Sequence, residues 1–125
     1  MVMTQSQALA AYQHILGLIA HSRGAVHPTQ LALDRAEVRD ISDFISLSYN
    51  DIQSLEFPEY SDDADTPTLI IGYTPLGKAH KNRIIIMIDY YRYRAHIGNP
   101  IGDNWLSVTQ EQYDEFRISP EYTEL

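Results

Sequence analysis

The stretch with the most chemical potential is "KAHKNRIIIMIDYYRYR", which sets Lys78, Lys81 and Arg83 ahead of Tyr90, Arg92, Tyr93 and Arg94. Cations interleaved with aromatic rings can do two things at a surface. Ammonium and guanidinium groups neutralise phosphates while tyrosine faces stack on unpaired bases. The same groups can also meet a protein partner through aromatic and arginine anchors. The architectural alternative is that the tyrosines cap the core and the arginines pair with the acidic loop upstream. On a helix, successive residues are rotated by roughly 100°, which sends Tyr91 to the core and Arg92 and Arg94 to different sides. That weighs toward architecture, yet these seven residues remain the candidate contact set for a partner or a nucleic acid.

Little else in the chain could do chemistry. The five histidines, His14, His21, His27, His80 and His96, form no H-x-x-x-H or H-x-x-E-H pair. His14 and His21 could share a helix face, but no third ligand is implied. Asp62, Asp63 and Asp65 lack the glycine and the spacing of a calcium loop and read as a solvated acidic turn. Glu111, Asp114 and Glu115 sit on one short segment, where early acids complement a helix dipole. With no cysteine, disulfides, thiol catalysis and thiolate metal sites are excluded. No nucleophile elbow, phosphate loop or dinucleotide fingerprint occurs. The expectation is a non-enzymatic chain with no catalytic, metal or cofactor-binding residues.

The elements that must carry the basic and aromatic stretch are read from periodicity and caps. Thr4 with Gln7 forms a capping box, and Ala8, Leu9, Tyr12, Ile15, Leu16 and Ile19 recur at helical spacing before Gly24. This predicts a long N-terminal helix from Gln5 to His21. Three short helices follow: one with Pro28 in its first turn, one after Asp40, and one after Ser48 with Asp51 at N3. Residues 58–73, with Pro58, Pro67 and three aspartates, predict an acidic loop insert; "LIIGY" within it is either a short extended piece or a buried plug.

For the stretch itself, a strand would throw Asp89, Arg92 and Arg94 onto both faces. A helix gathers Lys78, Lys81, Asn82, Asp89, Arg92 and His96 in one polar stripe. It turns Ile84, Met87, Ile88, Tyr91 and Ala95 to the core, and Ile85 falls on the wrong side. With Thr74 to cap, Pro75 at N1, and Gly98 and Pro100 to stop it, a long helix from Pro75 to His96 is predicted. The competing arrangement is a hairpin pairing "TLIIGY" with "RIIIMIDYY". Thr109 with Gln112 opens a short C-terminal helix through Arg117, anchored by Trp105, and residues 118–125 form a tail. The predicted architecture is a single all-α domain over residues 1–125, a small helical bundle.

Bulk properties narrow the class. Nine basic against seventeen acidic residues give a net charge of −8, which opposes non-specific attraction to nucleic acid or anionic membrane. The N-terminus lacks a basic n-region, and the longest apolar run, "IIIMI", is far too short for a bilayer. An intracellular chain, cytoplasmic or nuclear, with no membrane partner is expected.

"ISDFISLSYNDIQSL" has an apolar short helix, then a polar turn in which Asp51 and Ile52 lead to Leu55. "PLGKAHKNRIIIMIDYY" has Gly77 before a basic turn of His80, Lys81 and Arg83 and an apolar stripe. Over roughly Tyr12 to Tyr93 the chain resembles the sterile-alpha-motif-like (SAM-like) five-helix module, with a longer segment between Phe57 and Thr74 than that family has. The resemblance implies an adaptor or oligomerising module that binds a protein partner or itself and does no catalysis.

Overall fold

The computed structural model describes residues 3–20 and 27–119. Its order is α1 (Gln5–Ala20), α2 (Pro28–Arg35), α3 (Ile41–Ile45), α4 (Tyr49–Gln53), β1 (Glu56–Tyr60), β2 (Ile70–Pro75), α5 (Lys78–His96), a 3₁₀ turn (Trp105–Ser107) and α6 (Gln110–Arg117). Helix dominates, but a two-stranded antiparallel sheet makes the fold not purely all-α.

The helix starts follow the capping chemistry. Thr4 and Gln7, Ser48 and Asp51, and Thr109 and Gln112 each exchange side-chain and backbone bonds as reciprocal boxes. Asp40 accepts from the Asp43 N–H at 2.9 Å to open α3. The predicted C-terminal glycine of α1, Gly24, and His21 lie outside the described residues.

α5 starts three residues later than Pro75. Gly77 is its N-cap, without a side-chain bond. Thr74 and Pro75 belong to β2 instead, and Thr74 donates its hydroxyl to the Glu59 carboxylate at 2.6 Å. At the other end α5 stops as foreseen. Gly98, at φ +79°, donates to the Ala95 carbonyl and Asn99 to that of Arg94, the paired bonds of a Schellman motif.

Within the insert 58–73, "LIIGY" takes the short extended form rather than that of a buried plug, and strand also runs through Pro58 to Tyr60. β1 and β2 pair Glu56 with Pro75, Phe57 with Thr74, Pro58 with Tyr73 and Glu59 with Gly72, with a bulge before Tyr60 meets Ile70. "LIIGY" is therefore mostly strand, and its partner is "EFPEY", not the isoleucine run of α5. Beyond Tyr60, Ser61 donates to the Leu69 carbonyl, so the acidic aspartates occupy the tip. Proline is tolerated because in a two-stranded sheet every strand is an edge. The Leu76 N–H donates to the Leu55 carbonyl at 2.9 Å, and that bond sets the phase of the ladder. Alternation then puts Glu56–Pro75 and Pro58–Tyr73 at non-bonded positions, where a missing N–H costs no ladder bond.

One apolar cluster holds the helices. α1 contributes Ala8, Ala11, Tyr12, Ile15 and Ile19; α3 adds Phe44; and α5 adds Ile84, Met87 and Ile88. Leu9 and Leu16, expected on the core face of α1, are exposed and half-buried respectively, because the buried face is shifted toward Ala11 and Leu18. α5 is packed against α1, α3, α4 and α6. That surround explains Ile85: although off the main face, it is partly buried against the cluster. Farther along, where fewer elements cover the helix, Tyr91 is only half-buried and Ala95 is exposed. Trp105 is 1% exposed and stacks on Tyr91 at 5.3 Å, anchoring the entry to α6.

Candidate contact surface

α5 spreads the seven predicted contact residues around its circumference. At about 100° per residue, Lys78, Lys81 and Arg92 fall on one stripe, Arg83, Tyr90 and Arg94 on another, with Tyr93 between. The neighbours of each then decide how free it is.

Several are engaged inside the fold. The Lys81 ammonium donates to the Gln53 carbonyl at 3.0 Å, closing an orphan acceptor at the last residue of α4. The Arg83 carbonyl accepts from the Tyr113 hydroxyl at 3.2 Å, tying α6 to α5. Tyr90 is 6% exposed and sits beside Phe116 at 5.3 Å. Arg94 donates to the Tyr90 hydroxyl and, through Nε, to the Asn99 carbonyl at 2.8 Å, bracing the Schellman turn. The Tyr93 ring stacks on Phe116 at 5.2 Å, which covers one of its faces.

Three of the seven are exposed, Tyr93 at 40% among them. Lys78 is exposed, and Arg92 lies 3.9 Å from Asp89 one turn back, with most of its side chain in solvent. The structure thus brings Tyr90, Tyr93 and Arg94 together, but around Phe116 and a helix end rather than around a ligand. Among the described residues these arginines pair with α5 and the turn after it, not with the acidic loop. The arginine that does face the hairpin is Arg35 of α2. It lies 3.9 Å from Glu56 and 4.1 Å above the centre of the Tyr73 ring.

The hairpin supplies the exposed apolar surface. Tyr60, Leu69, Ile70, Ile71 and Tyr73 are all more than two-fifths exposed, with Ile71 highest at 63%. Of the other exposed apolar residues, Leu9, Tyr49 and Leu106 lie on separate elements, Tyr93 and Ile97 share the C-terminal end of α5, and Ile118 caps α6. A concentration of such residues on one exposed strand is what a contact surface requires. Sequence reading left these residues out of the contact set because "LIIGY" was either a short extended piece or a buried plug, and its strand partner was sought in "RIIIMIDYY". The available signal was the β-branched and aromatic "IIGYT", which needs a strand partner that "EFPEY" can provide.

A cleft of about 460 Å³ between α2, α3 and β1 is the other concavity to consider, with Arg35, Glu37, Asp43, Asp51 and Glu56 in its wall. Three of its four carboxylates are already committed. Asp51 accepts from the Ser48 N–H, and that bond with the Ser48 hydroxyl holds the Asp51 carboxyl below the usual carboxylate range. Asp43 accepts from the Arg39 N–H, and Glu56 faces Arg35. Behind the cleft wall, the Tyr12 hydroxyl is buried without a hydrogen-bond partner. Burial first, then the charges of Asp34 and Asp43, push its pKa far above the ordinary phenol value.

Three of the histidines, His14, His27 and His80, make contacts within the fold. His14 donates from Nε2 to the Val108 carbonyl at 2.6 Å, joining α1 to the entry of α6. His27 caps α2 by accepting from the Thr29 N–H, and its ring meets that of His80 edge-on at 4.7 Å. Among the described residues, no three histidine, aspartate or glutamate side chains are grouped to hold a metal ion. Nor is any described helix long and apolar enough to cross a membrane. No protein-family model, curated protein or solved structure matches this chain.

Proposed function

We propose that the chain is a non-enzymatic protein-interaction or assembly module that docks through the β1–β2 hairpin and uses no cofactor. The single observation behind this reading is the group of exposed apolar side chains on β2 and just before it, Leu69, Ile70, Ile71 and Tyr73. A folded chain holds such residues in water at a cost unless a partner covers them. The SAM-like resemblance points the same way, toward an adaptor or self-associating module, with the hairpin inserted between the fourth and fifth helices. An intracellular setting, cytoplasmic or nuclear, belongs to the same proposal.

The nucleic-acid alternative would draw on Lys78, Lys81, Arg83 and Arg92 with Tyr90 or Tyr93 on one open face. The engagement of Lys81, Tyr90 and Arg94 within the fold, together with the net charge of −8, weighs against it. The test compares the full chain with Ile71→Lys and Arg92→Glu, each first checked for retained helicity. In native cell extract, Ile71→Lys should lose the protein complexes that the unmodified chain forms, and Arg92→Glu should keep them. Retention of single-stranded RNA or DNA at physiological salt, lost on Arg92→Glu, would overturn the reading.

A further inference from the structure

We infer that the free edge of β2 pairs antiparallel with β2 of a second copy of this chain, closing a four-stranded sheet about a two-fold axis. The inference rests on the hairpin being the contact surface and names its occupant.

The backbone supplies the bonding groups. Among the described residues, β2 has β1 on one side and no strand on the other. With the ladder phase set by the Leu76–Leu55 bond, Tyr73 opposite Pro58 is a non-bonded position, so its N–H and C=O point away from β1, toward the open edge. Unpaired edge groups of this kind are a template for another strand.

Charge selects the occupant. Residues 69–76, "LIIGYTPL", carry no charge, whereas β1 carries Glu56 and Glu59 and the tip carries Asp62, Asp63 and Asp65. A basic or acidic strand laid along β2 would find no charge on that strand to answer it; a neutral apolar strand fits, and β2 is one. Antiparallel pairing about a two-fold also sends the two acidic tips to opposite ends, so two chains of charge −8 meet where they repel least.

The same hairpin stops growth at two copies. The outer edge of β1 has Pro58, which offers no N–H, and α2 packs alongside through Arg35 and Glu56. On β2 itself, Pro75 and the bulge beside Ile71 bound the usable window. A stable interface usually covers roughly 800 Å² per partner, more than this short edge offers, so the dimer is weak and concentration-dependent.

Sedimentation equilibrium of the full chain from about 5 µM to about 1 mM tests this. The mass should rise from that of one chain toward twice that value, and exchange of the Tyr73 amide should slow at least tenfold at the top concentration. Ile71→Lys, at an exposed position the fold tolerates, should raise the midpoint concentration tenfold or more, because each end of the paired window then carries a charge where an apolar side chain stood. Leu106→Lys, on the 3₁₀ turn, should leave it unchanged. A single-chain mass throughout, growth beyond two copies, or a dimer broken by Leu106→Lys and not by Ile71→Lys would each overturn the inference. A strictly monomeric chain whose hairpin still cross-links to another protein would sink self-pairing alone; a monomer with a silent hairpin would sink the interaction reading as well.

Discussion

Glu37 stands at φ 63°, a left-handed conformation that costs a non-glycine residue about 1 kcal/mol or more. The surrounding bonds show why it is held there. Glu37 donates to the Asp34 carbonyl and Val38 to that of Leu33, and the Val38 and Leu33 side chains are both buried. This is a Schellman ending for α2 with glutamate where glycine usually sits. Glu37→Gly should therefore raise stability by roughly 0.5–1 kcal/mol in a urea titration, and Glu37→Val should lower it. At Tyr113, burial, opposed by Arg117 and Arg83, pushes the phenol up to about 12. Its folded pKa lies above the unfolded value, so its contribution is complete below pH 10 and is lost as pH rises from about 10 to about 12. Stability should fall by on the order of 2 kcal/mol across that window. Tyr113→Phe should flatten the fall, at a cost of about 1 kcal/mol near neutrality for the lost bond to the Arg83 carbonyl.

At the scale of elements, helix starts were the most legible feature, because a cap is a local agreement between two residues three apart. Thr4 with Gln7 and Thr109 with Gln112 form the predicted boxes, and the predicted start at Ser48 with Asp51 at N3 is a third. The ending of α2 was not legible, since no glycine marks it. The hairpin was hidden for a different reason: Pro58 argues against a strand only where both edges must be bonded, and the sequence does not say how many strands a sheet has. The candidate contact residues were legible by type but not by use, because whether Tyr93 faces water or Phe116 depends on α6, over twenty residues away. Neighbouring isoleucines of α5 give a test. Ile88→Ala should cost about 2–5 kcal/mol and Ile85→Ala less, since Ile88 is 2% exposed and Ile85 is only partly buried. Equal losses would mean α5 is enclosed on all sides. Charge reversals should also part company. Arg92→Glu should shift stability by no more than roughly 0.5 kcal/mol. Lys81→Glu should cost more, because it strips the Gln53 carbonyl of its donor and sets a carboxylate against the end of α4.

At the scale of the molecule, the account is one of division of labour. The helices spend their aromatic and basic residues on one another, around Phe116, Trp105 and the turn after α5. The hairpin holds a group of apolar residues more than two-fifths exposed, with Arg35 over Tyr73, beside an acidic tip. On the proposed function, contact with a partner runs through β2 and not through the exposed stripe of α5. Site-specific photo-cross-linking in the native cell tests this directly, with a photoreactive residue placed at Ile71 in one version of the chain and at Arg92 in another. Protein adducts should form from position 71 and be absent from position 92. Adducts to nucleic acid, or protein adducts from position 92 with none from 71, would contradict the account.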